Sequence, residues 1–115
     1  MIYRFSEQKH EERENMRGGE GVVSLTHLVP QDRLHHMRLV ARIEIPVGGS
    51  IGAHHHDAEV EYYIILDGEG EVEENGQVTR VSFGDVVITG PNEGHAIRNV
   101  GEKPLVFVAC IQQLG

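Results

Sequence analysis

The sequence predicts an all-β fold, and three observations carry that expectation. Short runs rich in branched and aromatic residues recur along the chain: GVVSLTHLV (21–29), MRLVARIEI (37–45), VEYYIIL (60–66), VVIT (86–89) and LVFVACI (105–111). Gly, Pro, Asn or Asp, the residues that turn a chain, lie between these runs. No segment carries the apolar repeat of a core helix. Many short strands between turn signals describe a sandwich or a barrel.

The elements follow in order. Residues 6–17, SEQKHEERENMR, start at a capping serine, Ser6, and end at Gly18-Gly19, so the local expectation is a short helix. Almost no apolar stripe backs it, and a short helix without one has little to hold it. Residues 1–20 are therefore expected to form a mobile N-terminal arm, with a lid or an exchanged dimer arm as alternatives, ahead of a folded domain at 21–115. The strand at 21–29 stops at Pro30-Gln31-Asp32. In the next strand, 37–45, Ala41, Ile43 and Ile45 share one face, and Arg42 and Glu44 take the other. The strand at 60–66 places Glu61, Tyr63 and Ile65 together and ends at Asp67-Gly68. EGEVEE (69–74) meets QVTRV (77–81) across Asn75-Gly76, a strong hairpin signal. Gly84-Asp85 turns into 86–89, and the loop 90–94 delivers His95 and the strand HAIRNV. The run 105–111 is apolar throughout, so it is expected to be buried on both faces, inside the fold or partly against a partner subunit.

Composition narrows the partners. A chain of 115 residues is one domain and buries roughly two thirds of the surface its unfolded form exposes. Ten Lys and Arg stand against 18 Asp and Glu, a net charge of −8, which disfavours nucleic acid and anionic membranes. No apolar run approaches the roughly 18 residues of a membrane span. The N-terminus lacks the apolar centre of a secretion signal, so a cytoplasmic location is expected. Cys110 is the only cysteine and excludes an internal disulfide. It reads as a small buried hydrophobe.

Eight histidines are the unusual feature. His54 and His56 share one face of an extended chain, His55 points away, and Glu61 follows closely. Outside a wider pattern, three consecutive histidines would read as surface decoration. Imidazole and carboxylate together are a ligand set for transition metals. His95 arrives from a second stretch. Glu59 has the same strand parity as Glu61 and competes with it as a ligand.

These residues stand in a pattern that resembles the cupins. The first cupin motif is Gly, five residues, His-x-His, three or four residues, Glu, six residues, Gly. Gly48, His54, His56, Glu61 and Gly68 meet every spacing, and the spacing to Gly68 selects Glu61 over Glu59. In the second motif Gly84, His95 and Asn99 match, whereas its Pro-x-Gly is replaced by Gly90-Pro91-Asn92. The resemblance covers residues 38–111. It implies a double-stranded β-helix of jelly-roll type and one divalent transition metal per chain (Mn, Fe, Ni, Cu, Co or Zn) on His54, His56, Glu61 and His95. Four such ligands leave two positions of an octahedron open. Asn99 would support its strand near His95 rather than bind metal. A homodimer joined through edge strands and the N-terminal segment is a further implication.

Cupins differ widely in activity, so the resemblance leaves function open. One implication is an enzyme acting on a small oxygen-rich molecule, either an oxalate decarboxylase-like enzyme or a dioxygenase. The other is a module that binds a small carboxylate or sugar without turnover. Related oxalate enzymes often place an arginine just before His-x-His, and GGSIGA here has none. Arg42 is the best replacement, with Arg38 behind it, while Arg98 should point outward. Tyr63, on the face of Glu61, is the candidate hydrogen-bond donor.

Overall fold

A computed structural model describes all 115 residues as ten strands with three short 3₁₀ turns. The strands are β1 (His10–Glu14), β2 (Val22–His27), β3 (Met37–Ile45), β4 (Ser50–His55), β5 (Glu59–Asp67), β6 (Gly70–Glu74), β7 (Gln77–Val81), β8 (Val86–Thr89), β9 (Gly94–Asn99) and β10 (Leu105–Gln113). Six form one sheet in the order β1-β2-β3-β10-β5-β8, and four form the other in the order β4-β9-β6-β7. All pairings are antiparallel. No helix is long and apolar enough to cross a membrane.

Alternation along the strands decides what is buried. Ala41, Ile43 and Ile45 of β3, Tyr63 and Ile65 of β5, and Leu105, Phe107 and Ala109 of β10 face inward. They pack against Ile51, Val72 and Ile97 of the smaller sheet. Each large side chain so buried contributes about 1.5–3 kcal/mol of transfer free energy. The β6–β7 hairpin closes on Asn75 and Gly76, whose φ angles of 52° and 76° are the positive pair that this turn requires. Asn99 supports its strand without nearing the histidines: its amide donates to Ile45 O (3.0 Å) and Lys103 O (2.9 Å).

One expectation requires correction. Residues 6–17 form no α-helix, only parts of two 3₁₀ turns at their ends, and are not a loose arm, because β1 pairs with β2 from His10 opposite Thr26 to Glu14 opposite Val22. An edge strand needs only the open backbone of its neighbour, so this segment binds without the apolar stripe a helix would have needed. His27 to Glu11 and His10 to Thr26 then join the two strands side chain to side chain. β10 lies inside its sheet, flanked by β3 and β5. Leu105, Phe107, Ala109 and Ile111 are buried on its inner side, whereas Val108 and Cys110 on the outer side are only half-buried.

The β1 junction has a pH signature. The hydrogen bond from His27 holds the Glu11 carboxyl below its ordinary value, against a smaller upward push from desolvation. A depressed carboxyl stabilises the fold fully above its unfolded pKa, about 4.3, and loses that contribution as pH falls through the lowered value. Hydrogen exchange corrected for intrinsic rates is expected to show β1 opening in acid before β10 does. Glu11→Gln should open β1 equally at neutral and acid pH. An acid response in β1 that survives this substitution would remove Glu11 as its cause.

Candidate metal centre

Three strands, two from the smaller sheet and one from the larger, build one buried cluster. β4 and the residue after it supply His54 and His56, β5 supplies Glu61, and β9 supplies His95 directly opposite His54 in the ladder. Glu61, His56 and His95 are buried, and His54 is nearly so. Glu61 Oε1 lies 3.4 Å from His54 Nε2, 2.9 Å from His56 Nε2 and 2.8 Å from His95 Nε2. Each residue offers one ligand atom, and these four atoms lie within 4.8 Å of one another. His55 is exposed, near Asp57, as its strand parity requires.

The backs of the rings are held as firmly as the fronts. His54 Nδ1 faces the Gly52 carbonyl at 2.8 Å, His56 Nδ1 faces the Glu59 carboxylate at 3.2 Å, and His95 Nδ1 meets Thr89 Oγ1 at 2.7 Å. A carbonyl and a carboxylate only accept, so the Nδ1 atoms of His54 and His56 carry protons. Neutral rings with that tautomer turn their Nε2 lone pairs toward the centre. In addition, His54 Nε2 and His95 Nε2 are 3.0 Å apart, too close for both to bear hydrogen. The lone pairs of His54 and His56 thus converge on a carboxylate, with His95 Nε2 beside them, an arrangement that a cation at their common focus satisfies. Outer hydrogen bonds that orient ligating imidazoles in this way are general in metal sites. The residues fit a transition metal.

Glu61 is poised as an anion. Burial pushes its carboxyl up, but the imidazoles of His54, His95 and His56 that surround it outweigh that and hold it well below the usual range. Tyr63 behaves oppositely. Burial and then the Glu61 charge push its hydroxyl well above the ordinary value, so it stays protonated. Its ring stacks on His95 at 4.8 Å and packs against Phe107 in a tilted arrangement at 4.5 Å between centroids.

A cavity of about 70 Å³ opens beside the cluster, and His54, His56, Glu61 and Tyr63 form part of its lining. At roughly 10–15 Å³ per water on this measure, it admits only a handful of heavy atoms. The structure does not bring Arg42 there. Because Ala41, Ile43 and Ile45 face the core, Arg42 lies on the outer face of the sheet, 3.5 Å from Glu44 and with its guanidinium over Phe5. Arg38 does line the cavity, together with Arg13 and Arg17. A register shift between β3 and β10 at Ile111/Gln112 leaves Arg38 without an opposite residue, the kind of bulge that re-aims a side chain. Arg98 points outward to Glu71.

Three contributors, Thr89, Gly52 and Arg17, carried no role in the sequence reading, and a fourth, Glu59, carried a different one. Glu59, set aside as a rival ligand, holds His56 from behind and takes two hydrogen bonds from Arg38. Thr89 shares inward parity with Val87, a signal that a polar residue there needs a buried partner. Gly52 acts through its carbonyl, and Arg17 comes from the segment read as an arm. Neither carries a local sequence signal.

Several known proteins are similar to this chain. The cupin domain model matches residues 41–111. A Thermotoga maritima protein named oxalate-binding protein is 43% identical over 112 residues, covering 96% of this chain and 93% of that protein. A crystal structure from Thermotoga maritima, described as that of a predicted oxalate decarboxylase, has a TM-score of 0.94 at 43% identity, covering 99% of this chain and all of that one. KdgF from a Halomonas species shares the fold alone, with a TM-score of 0.78 at 15% identity over 98% of this chain and 95% of that one. With the two-motif ligand cluster assembled between its sheets and the domain model matching most of its length, the chain belongs to the cupin family.

Proposed function

We propose that this cupin holds one divalent transition metal on His54, His56, Glu61 and His95 and binds a small oxalate-like dicarboxylate beside it. The observation that carries this reading is the convergence of imidazole lone pairs on Glu61 at the floor of a cavity that arginines line. Four protein ligands leave two positions of a six-coordinate ion, which suits a chelating carboxylate. The metal, when bound, supplies Lewis-acid polarisation of that ligand. Cavity size agrees, since about 70 Å³ is far below the roughly 300 Å³ at which drug-sized pockets begin. The name of the Thermotoga maritima relative points the same way.

The geometry favours binding over turnover. Decarboxylation needs a proton donor with a pKa near the working pH. Burial pushes Tyr63 up and Arg38 pulls Glu59 down, while Glu61 is the only carboxylate lining the cavity. Arginines line the cavity, but no carboxylate beyond Glu61 stands there to carry a proton. Turnover is the second reading, and Tyr63 supports it: a protonated hydroxyl on the cavity wall beside His95 can orient a ligand oxygen. Titration calorimetry with manganese(II)-loaded protein is expected to show oxalate binding that disappears without the metal. NMR of the same mixture should show no formate. Oxalate binding that is indifferent to metal would sink the proposal, and formate accumulating with oxalate loss would establish the enzyme.

A further inference from the structure

One wall of the cavity lies outside the region that the family model matches. Arg13, Met16 and Arg17 line it, whereas the match begins at residue 41. The strap that carries them is fixed by its backbone. Asn15 N donates to Gly21 O at 3.0 Å, Gly18 N to Asn15 O and Gly19 N to Met16 O at 2.9 Å, and Ser50 N to Glu20 O at 2.9 Å. Asn15 and Arg17 both adopt left-handed backbone, with φ of 50° and 56°; asparagine tolerates that region, whereas an arginine enters it only where the surroundings impose it.

What imposes it is contact with β4. A Cβ on Gly52 would lie 2.0 Å from the Arg17 carbonyl oxygen, and one on Gly19 would lie 2.2 Å from that of Ser50. Only glycine lets the two backbones touch there. Gly52 also presents the carbonyl that orients His54. One contact therefore fixes the base of Arg17 relative to a metal ligand.

The three arginines at the cavity are not equivalent. Arg38 is engaged with Glu59 at 2.6 and 3.2 Å. Arg13 is 3.5 Å from Glu11. Arg17, an exposed residue that lines the cavity, makes no ion pair or side-chain hydrogen bond, so its charge is the one there without a protein partner. A divalent ion beside the Glu61 carboxylate leaves one positive charge. A monocarboxylate cancels it, whereas a dicarboxylate leaves one negative charge in a small, largely buried space. A single free guanidinium balances that excess.

We propose that Arg17 is the specificity-determining residue of this site, setting its preference for small dicarboxylates over monocarboxylates by pairing with the charge that the metal leaves uncancelled. This rests on the metal-and-dicarboxylate reading above. The test titrates oxalate and formate into the manganese(II)-loaded full chain, as wild type and as the Arg17→Gln, Arg17→Lys and Arg42→Gln variants, with bound manganese measured in each. Arg17→Gln should weaken oxalate at least about tenfold, as expected for losing a charge-assisted hydrogen bond. Formate affinity should change less than about twofold, because its single charge needs no second partner. Manganese content should stay constant. Arg17→Lys should keep the order of preference, and Arg42→Gln, the same charge change on the outer face, should match wild type. Wild type that binds no oxalate would overturn the functional reading and this inference together. Wild type that binds it, with Arg17→Gln either unchanged, equally weakened for both ligands or depleted of metal, would overturn the inference alone.

Discussion

Replacing Glu61 by Gln is expected to weaken metal binding by roughly 100-fold or more, since changes to outer partners of metal ligands already cost about 10–100-fold. The substitution keeps the shape of the side chain and removes the only anionic ligand of the cluster. It also leaves three imidazoles facing an uncharged amide. Glu59→Gln should cost less, because that carboxylate touches His56 only at Nδ1. Thermal denaturation provides the readout. At a metal concentration about 100 times Kd, binding stabilises the wild type by about 2.7 kcal/mol, on the order of 10 °C for a domain of this size. Glu61→Gln should lose nearly all of that metal-dependent shift, and Glu59→Gln should keep much of it. Equal losses would mean that the two carboxylates share the role.

Phe107→Ala should give the largest loss of intrinsic stability. Phe107 is fully buried in the central strand β10 and packs against Tyr63, which in turn stacks on His95. Truncating a buried Phe costs about 3–5 kcal/mol, as lost transfer energy plus the cavity left behind. For a domain of this size that lowers Tm by roughly 10–20 °C. The substitution also frees Tyr63 to tilt, so metal affinity should fall although no ligand has changed. Melting curves with and without metal separate the two effects. A loss near 1 kcal/mol would mean that the sheets close over the gap and that the aromatic stack does not support the site.

The cluster was legible because strand parity and motif spacing are both short-range. His54, His56 and Glu61 sit on neighbouring segments, and the distance to Gly68 separated Glu61 from Glu59. The Asn75-Gly76 hairpin was legible for the same reason. Arg42 failed because its parity with Glu44 was known but the inward face of that strand was not. Ala41, Ile43 and Ile45 take the core, which sends Arg42 outward. β1 failed differently. Its pairing is set by the unsatisfied backbone edge of β2, and a charged segment such as HEERE carries no apolar alternation to announce it. The contact between Gly52 and Arg17 joins residues 35 positions apart through backbone atoms alone, and side-chain patterns are blind to it. The bulge that turns Arg38 toward the cavity arises from register with β10, which is also a tertiary property.

The most direct test of the central claim is the metal content of untagged protein purified from medium with native metals, measured by elemental analysis beside His95→Ala. The cluster geometry predicts about one transition metal per chain in the wild type and almost none in the variant. An empty wild type that takes up no added manganese, iron, nickel, copper, cobalt or zinc would contradict it and leave a metal-free cupin whose buried histidines serve some other purpose.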